Sequence, residues 1–162
     1  MPIQLSFLST LVLAPAPKAF RITDNEKKIF ISFSDKKLLE AQGSAKASGD
    51  DFSKALANGQ ASVYQDFKDL LSRENDKEKI FQSLVAGFYQ ARDAAREQLK
   101  KRKGLNDEDS KNKALVENYK YGGQAFAYAE LLREFAKVYP KDFKDKLPKD
   151  LPVPFTIEVP GH

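Results

Sequence analysis

Cysteine is absent from this 162-residue chain, and its single histidine is the last residue, His162. The first absence excludes a disulfide framework and any zinc site built on thiolates. The second leaves no expected role for a held imidazole, because a terminal side chain has little around it to fix its geometry. Tryptophan is also absent and methionine occurs once, so packing bulk rests on 12 Phe and 6 Tyr. Neither sign of charge dominates: 27 Lys and Arg oppose 23 Asp and Glu, a formal balance of +4. That excess permits nucleic-acid binding without requiring it. No apolar run reaches the roughly 20 residues of a membrane helix, so no membrane partner is expected.

What is present fits one domain of ordinary size. Hydrophobic residues make up 41% of the chain and charged residues 31%, a globular composition with a heavily charged surface. A cytoplasmic location is expected. One apolar run, Leu5 to Ala14, precedes a Pro-Ala-Pro stretch. It reads either as a strand or as a weak signal peptide. Against the signal, no Lys or Arg comes before Lys18, and Pro15 and Pro17 crowd the Ala14-Pro15-Ala16 site. Cleavage there would make this a secreted helical protein.

Three stretches differ in pattern. Residues 1–49 look partly β-rich. Ile3, Leu5 and Phe7 alternate with polar residues, and Phe20 to Thr23 and Lys28 to Phe33 flank Asp24-Asn25-Glu26-Lys27. That arrangement predicts a small hairpin, then a short helix from Asp35 to Gln42, then a linker from Gly43 to Gly49. Residues 50–139 change to helical spacing. Val63, Phe67, Leu70 and Leu71 form one stripe. A second helix begins at Asp76, carries Phe81, Leu84, Val85, Phe88, Ala95 and Leu99 on one face, and stops at Gly104. Asn106 is expected to cap a third segment with Asp107, Glu108 and Asp109 in its first turn. Ala125, Tyr128, Leu132, Phe135 and Tyr139 form the last stripe. Gly122-Gly123 predicts a break or kink there, or else a close backbone approach. Residues 140–162 carry five of the eight prolines and predict an extended tail, with a possible edge strand at Phe155 to Val159. The fold class expected is mainly α: a helical bundle with a small N-terminal hairpin and a Pro-rich tail.

One feature points towards function. Arg92, Arg96, Lys100, Lys101, Arg102 and Lys103 crowd the end of the second long helix. At 100° per residue, Arg92, Arg96, Lys100 and Lys103 fall within roughly 80° of arc. Cations spaced along a rigid rod suit phosphate contacts, which give affinity without reading sequence. Lys111 and Lys113 follow across the next loop and extend the candidate patch, and Tyr89, Tyr119 and Tyr121 are close enough in sequence to stack on bases. The competing explanation is local, since cations in a last helical turn also stabilise the helix dipole.

Other candidates are weaker. Asp107-Glu108-Asp109 has acids for a divalent cation, but consecutive helical residues diverge and a cap needs the same groups. Gly43 to Gly49 lacks the Gly-Lys-Ser/Thr of a phosphate loop. Glu130 and Glu134 have no partner set for a carboxylate metal site. No cofactor, metal or catalytic role is expected. A protein–protein adaptor remains an alternative, with Phe126 and Tyr128 as its candidate apolar patch.

A small helical bundle with Phe88-Tyr89-Gln90-Ala91-Arg92-Asp93-Ala94-Ala95-Arg96 running into Lys100-Lys101-Arg102-Lys103 resembles the small subunits of Cascade-type CRISPR effector complexes. The likeness covers residues 51–139 and rests on size, helicity and the basic row. It implies a non-catalytic part of a ribonucleoprotein used in antiviral defence. Such a subunit sits among other subunits, in several copies, beside the guide and target strands. It holds RNA or DNA backbone, single-stranded or in the guide–target duplex. The N-terminal β-rich third and the Pro-rich tail are additions to that minimal plan.

Overall fold

The computed structural model describes residues 20–152. Among them are five α-helices and no strand: α1 (Asp24–Ala47), α2 (Asp51–Arg73), α3 (Lys77–Lys103), α4 (Glu108–Val138) and the one-turn α5 (Pro140–Phe143). A 3₁₀ turn, Lys144–Lys146, follows. The helical bundle is as expected.

Each long helix opens on a side-chain cap. Asp50 accepts from the Ser53 N–H at 2.8 Å, and Asp107 from the Ser110 N–H at 2.6 Å. Asp76 takes the N–H groups of Glu78 and Lys79. These carboxylates satisfy donors that have no partner inside the helix. The cap of α4 is therefore Asp107, one residue beyond the expected Asn106.

The hairpin expected over Phe20 to Phe33 is not there, and neither is the linker from Gly43 to Gly49. One helix covers Asp24–Ala47. Ile29, Ile31 and Phe33 suggested a strand through their alternation and β-branching. The opposing signal was Thr23-x-x-Glu26, a capping box in which each side chain bonds the other's backbone N–H. Burial follows the helical period, with Phe30, Ser34 and Ala41 inward and Ile29 half exposed. The strand reading of Ile3 to Leu13 lies outside the described residues.

Helix α4 is the axis of the bundle. It packs along α2 and α3, while α1 lies against α2. Its buried residues Gly123, Ala127, Leu131, Phe135, Leu132, Ala136 and Ala129 span roughly 240° of arc, far more than one amphipathic face. Gly122-Gly123 does not break it. Gly123 instead meets the α2 backbone: a Cβ there would stand 2.1 Å from the Leu56 carbonyl oxygen. Gly59 of α2 repeats the contact, its Cβ position lying 2.1 Å from the Lys120 carbonyl oxygen. The two helices touch through their backbones at this level.

The opposite end is filled by aromatic rings. Phe135 stacks on Phe30 at 5.1 Å and lies 5.1 Å from both Tyr139 and Phe143. Phe81 stacks on Phe143 at 4.5 Å. Phe143 belongs to the stretch expected to be an extended tail. That expectation is corrected as far as Pro152: Pro140 takes the first helical position of α5, where its missing N–H costs nothing, and Phe143 is buried. Leu147 and Leu151 then pack against the core. The edge strand suggested at Phe155 to Val159 lies outside the described residues.

At this end Tyr139 sits against the capping carboxylate. Its hydroxyl is buried and faces Glu26 without full hydrogen-bond geometry. Burial, then Glu26, push the phenol's pKa upward. Burial opposes ionisation of Glu26, but the Thr23 N–H, the Tyr139 and Thr23 hydroxyls and Lys77 outweigh it and hold the carboxyl below its ordinary value.

Two measurements test this packing. Gly59→Ala and Gly123→Ala should each cost more than about 2 kcal/mol, because the added methyl meets a helix backbone that cannot give way. Gly122→Ala, with open space at its Cβ, should instead gain about 0.5–1 kcal/mol by lowering the unfolded chain's entropy. Denaturant unfolding of the three variants separates them. The second test concerns acid. A carboxyl with a lowered folded pKa adds stability above its ordinary value of 4.5, and that stability is lost as pH falls through the folded pKa. Glu26→Gln should be less stable than the parent at neutral pH, with the gap closing below about pH 4.

Candidate nucleic-acid interface

The basic row lies on the second half of α3, held to α4 by small side chains. Ala91 and Ala114 are buried. The Asn118 amide of α4 donates to the Ala95 carbonyl at 2.7 Å. That bond crosses between the helices immediately before the exposed cations begin and fixes the rotation of α3 about its axis. Beyond it Arg96, Lys100, Lys101, Arg102 and Lys103 are all exposed. Their side chains form no ion pair or hydrogen bond among the described residues. Gly104 ends the helix, with its N–H on the Lys101 carbonyl at 3.0 Å.

Arg92 differs from the row it was expected to begin. Its guanidinium lies 4.7 Å from the Tyr89 ring centroid and 5.8 Å from that of Phe88. It pairs with Asp93 and with Asp150 of the C-terminal segment. The side chain is only 24% exposed. The pair with Asp150 links α3 to the C-terminal segment. Tyr89, expected to be free for stacking, is covered by this same cation.

The two lysines beyond the loop divide in the same way. Lys111 pairs with Glu108 at 3.6 Å. Lys113 is exposed without an ion pair among the described residues, and it shares a groove with Lys100 and Lys101. Tyr119 packs on Phe52 at 5.3 Å, and Tyr121 has Lys120 above its ring at 5.4 Å. The cations that come together as an open surface are therefore Arg96, Lys100, Lys101, Arg102, Lys103 and Lys113.

Asp107, at the start of α4, is engaged in holding that helix. Asp107 accepts from the Ser110 hydroxyl at 2.7 Å as well as from its N–H. These two bonds, hydroxyl first, lower its pKa, with help from Lys113 and Lys111. Phe126 and Tyr128 form no open apolar patch, since both are half-buried and Tyr128 lies over Gly87. Among the described residues no three metal-ligating side chains converge, and no helix is long and apolar enough to cross a membrane. Asn118 and Leu105 were missed from sequence. Leu105, an apolar residue in an otherwise polar loop, carried a readable signal.

No protein-family model matches the chain, and no curated protein or solved structure does either.

Asp150→Ala should release the C-terminal segment from α3. The expected signature is faster backbone hydrogen exchange over residues 147–152, with a loss of global stability below about 1 kcal/mol, the worth of an exposed ion pair. Unchanged exchange there would mean that Leu147 and Leu151 hold the segment unaided.

Proposed function

We propose that this protein is a non-catalytic helical subunit that holds a nucleic-acid backbone through the end of α3. The observation that carries the reading is the set of unpaired cations from Arg96 to Lys103 on a helix end that α4 holds in place. Such an array meets successive phosphates and releases counterions from the strand. It reads no base, so binding tolerates any sequence. The resemblance to small subunits of CRISPR effector complexes fits this reading. It suggests the setting: a ribonucleoprotein assembled with other subunits in the cytoplasm, contacting a guide or target strand. Arg92 and Lys111 drop out of the binding set because each already has an acidic partner.

The adaptor reading has less support. The exposed large apolar residues among those described are Phe20, Ile29, Leu39 and Leu99. Ile29 and Leu39 are ten residues apart on α1, a rise of about 15 Å, so they do not make one patch.

The test is charge reversal. Converting Arg96, Lys100, Lys101 and Lys103 together to Glu should lower the affinity for short single-stranded RNA or DNA by more than about a hundred-fold at low salt. The slope of log affinity against log salt should shrink by about one for each phosphate no longer neutralised. The protein should stay folded with a lowered thermal transition, since none of the four side chains is buried but acids in the last turn oppose the helix dipole. Equal binding by the parent and the reversed protein at low salt would sink the proposal.

A further inference from the structure

The loop between α3 and α4 closes one end of an open groove of about 410 Å³. Leu105 and Ala114 give it an apolar floor. Lys100 and Lys101 from α3 and Lys113 from α4 stand around that floor. Their methylene stems widen the apolar surface while the ammonium groups stay in water. Gln98 and Glu117 bring an amide and a carboxylate to the same groove. Glu117 is steadied by Lys120 at 3.8 Å.

This combination exceeds what a backbone contact needs. Phosphates would engage the three ammonium groups and leave the apolar floor unused. A purely apolar guest would cover the floor and gain nothing from the cations. A flat aromatic ring flanked by phosphates uses both, and that is a nucleotide within a strand. We infer that the groove takes one unstacked nucleobase of a bound single strand, with the flanking phosphates on Lys100, Lys101 and Lys113. The inference rests on the proposed function and deepens it from backbone contact to a base subsite. The edge groups also set a preference. An ionised carboxylate only accepts hydrogen bonds. Guanine offers it two adjacent donors, N1–H and N2–H, whereas uracil and thymine set a single N–H between two carbonyl oxygens. Guanine is favoured over uracil and thymine.

The experiment compares a guanine-bearing single strand with an abasic strand of equal length, both at low salt, by fluorescence anisotropy. The parent protein should bind the guanine strand about five-fold more tightly than the abasic one, the worth of a modest apolar contact. Leu105→Ser, which removes no charge, should erase that preference and leave abasic affinity unchanged. The unchanged abasic affinity also reports that the variant is folded. Glu117→Gln should narrow the gap between guanine and uracil strands. Equal binding of both strands by the parent, or a preference that survives in Leu105→Ser, overturns the base subsite while the backbone reading stands. Failure to bind either strand overturns both.

Discussion

At one level helices α2 and α4 come together without side chains between them. At Gly59 and Gly123 each helix presents bare backbone to the other's carbonyl, and a single methyl would stand 2.1 Å from oxygen on either side. This contact sets the spacing of the bundle at its middle. At the glycines the distance between helix axes is governed by backbone contact rather than by interlocking large side chains. Towards Lys103 the buried side chains include Ala57, Ala91 and Ala114, with the part-buried Phe52 and Tyr119 rings 5.3 Å apart between α2 and α4. The last turn of α3 is exposed at this end, alongside Lys113 and Ala114 of α4.

The aromatic end has the complementary task. Phe135 of α4 is in ring contact with Phe30 of α1, Phe81 of α3, Phe143 of α5 and Tyr139 at the junction of α4 and α5. Each large ring buries enough apolar surface for this end to supply most of the hydrophobic stabilisation. The strap of residues 147–152 runs from there across α3 and is fastened by Arg92. The chain thus separates its stabilising core from its basic end, and changes at one end need not disturb the other. Reversing charges beyond Arg96 alters a surface that no core residue depends on.

How much of this was legible follows from the physics of each signal. The starts of α2 and α3 were readable because Asp50 and Asp76 are helix caps whose chemistry is local, and Gly104 marked a stop for the same reason. Helix α1 was misread because two kinds of local evidence conflicted. β-Branched Ile29 and Ile31 suggested a strand, while Thr23 and Glu26 specified a helix start and prevailed. The glycine pair was ambiguous in principle: a flexible joint and a close contact need the same residue, and only the partner helix decides between them. The fate of Arg92 was out of reach as well. Its acidic partner lies 58 residues away, and no periodicity relates them. Arg96, Lys100 and Lys103 share an arc by helical geometry alone, so that part of the candidate site was visible in the sequence.

A net charge of only +4 is spread unevenly over the molecule. Asp50, Asp76 and Asp107 cap helices, and Glu26 completes a capping box. Asp35, Glu78 and Asp150 pair with Lys68, Lys146 and Arg92. At the basic end Arg96, Lys100, Lys101, Arg102, Lys103 and Lys113 are exposed with no ion pair among the described residues, beside the exposed acids Glu97 and Asp109. The helix dipole accounts for some of this, since it favours cations within the last turn. It does not account for the whole arrangement. Arg96 lies a turn further back, and Arg96 with Lys100, like Lys100 with Lys103, forms a like-charge neighbour pair that weakens an isolated helix by about 0.2–0.5 kcal/mol. Lys113 adds a further cation across the groove from another helix. A helix needing only a stable end would be served by one or two cations within its last turn.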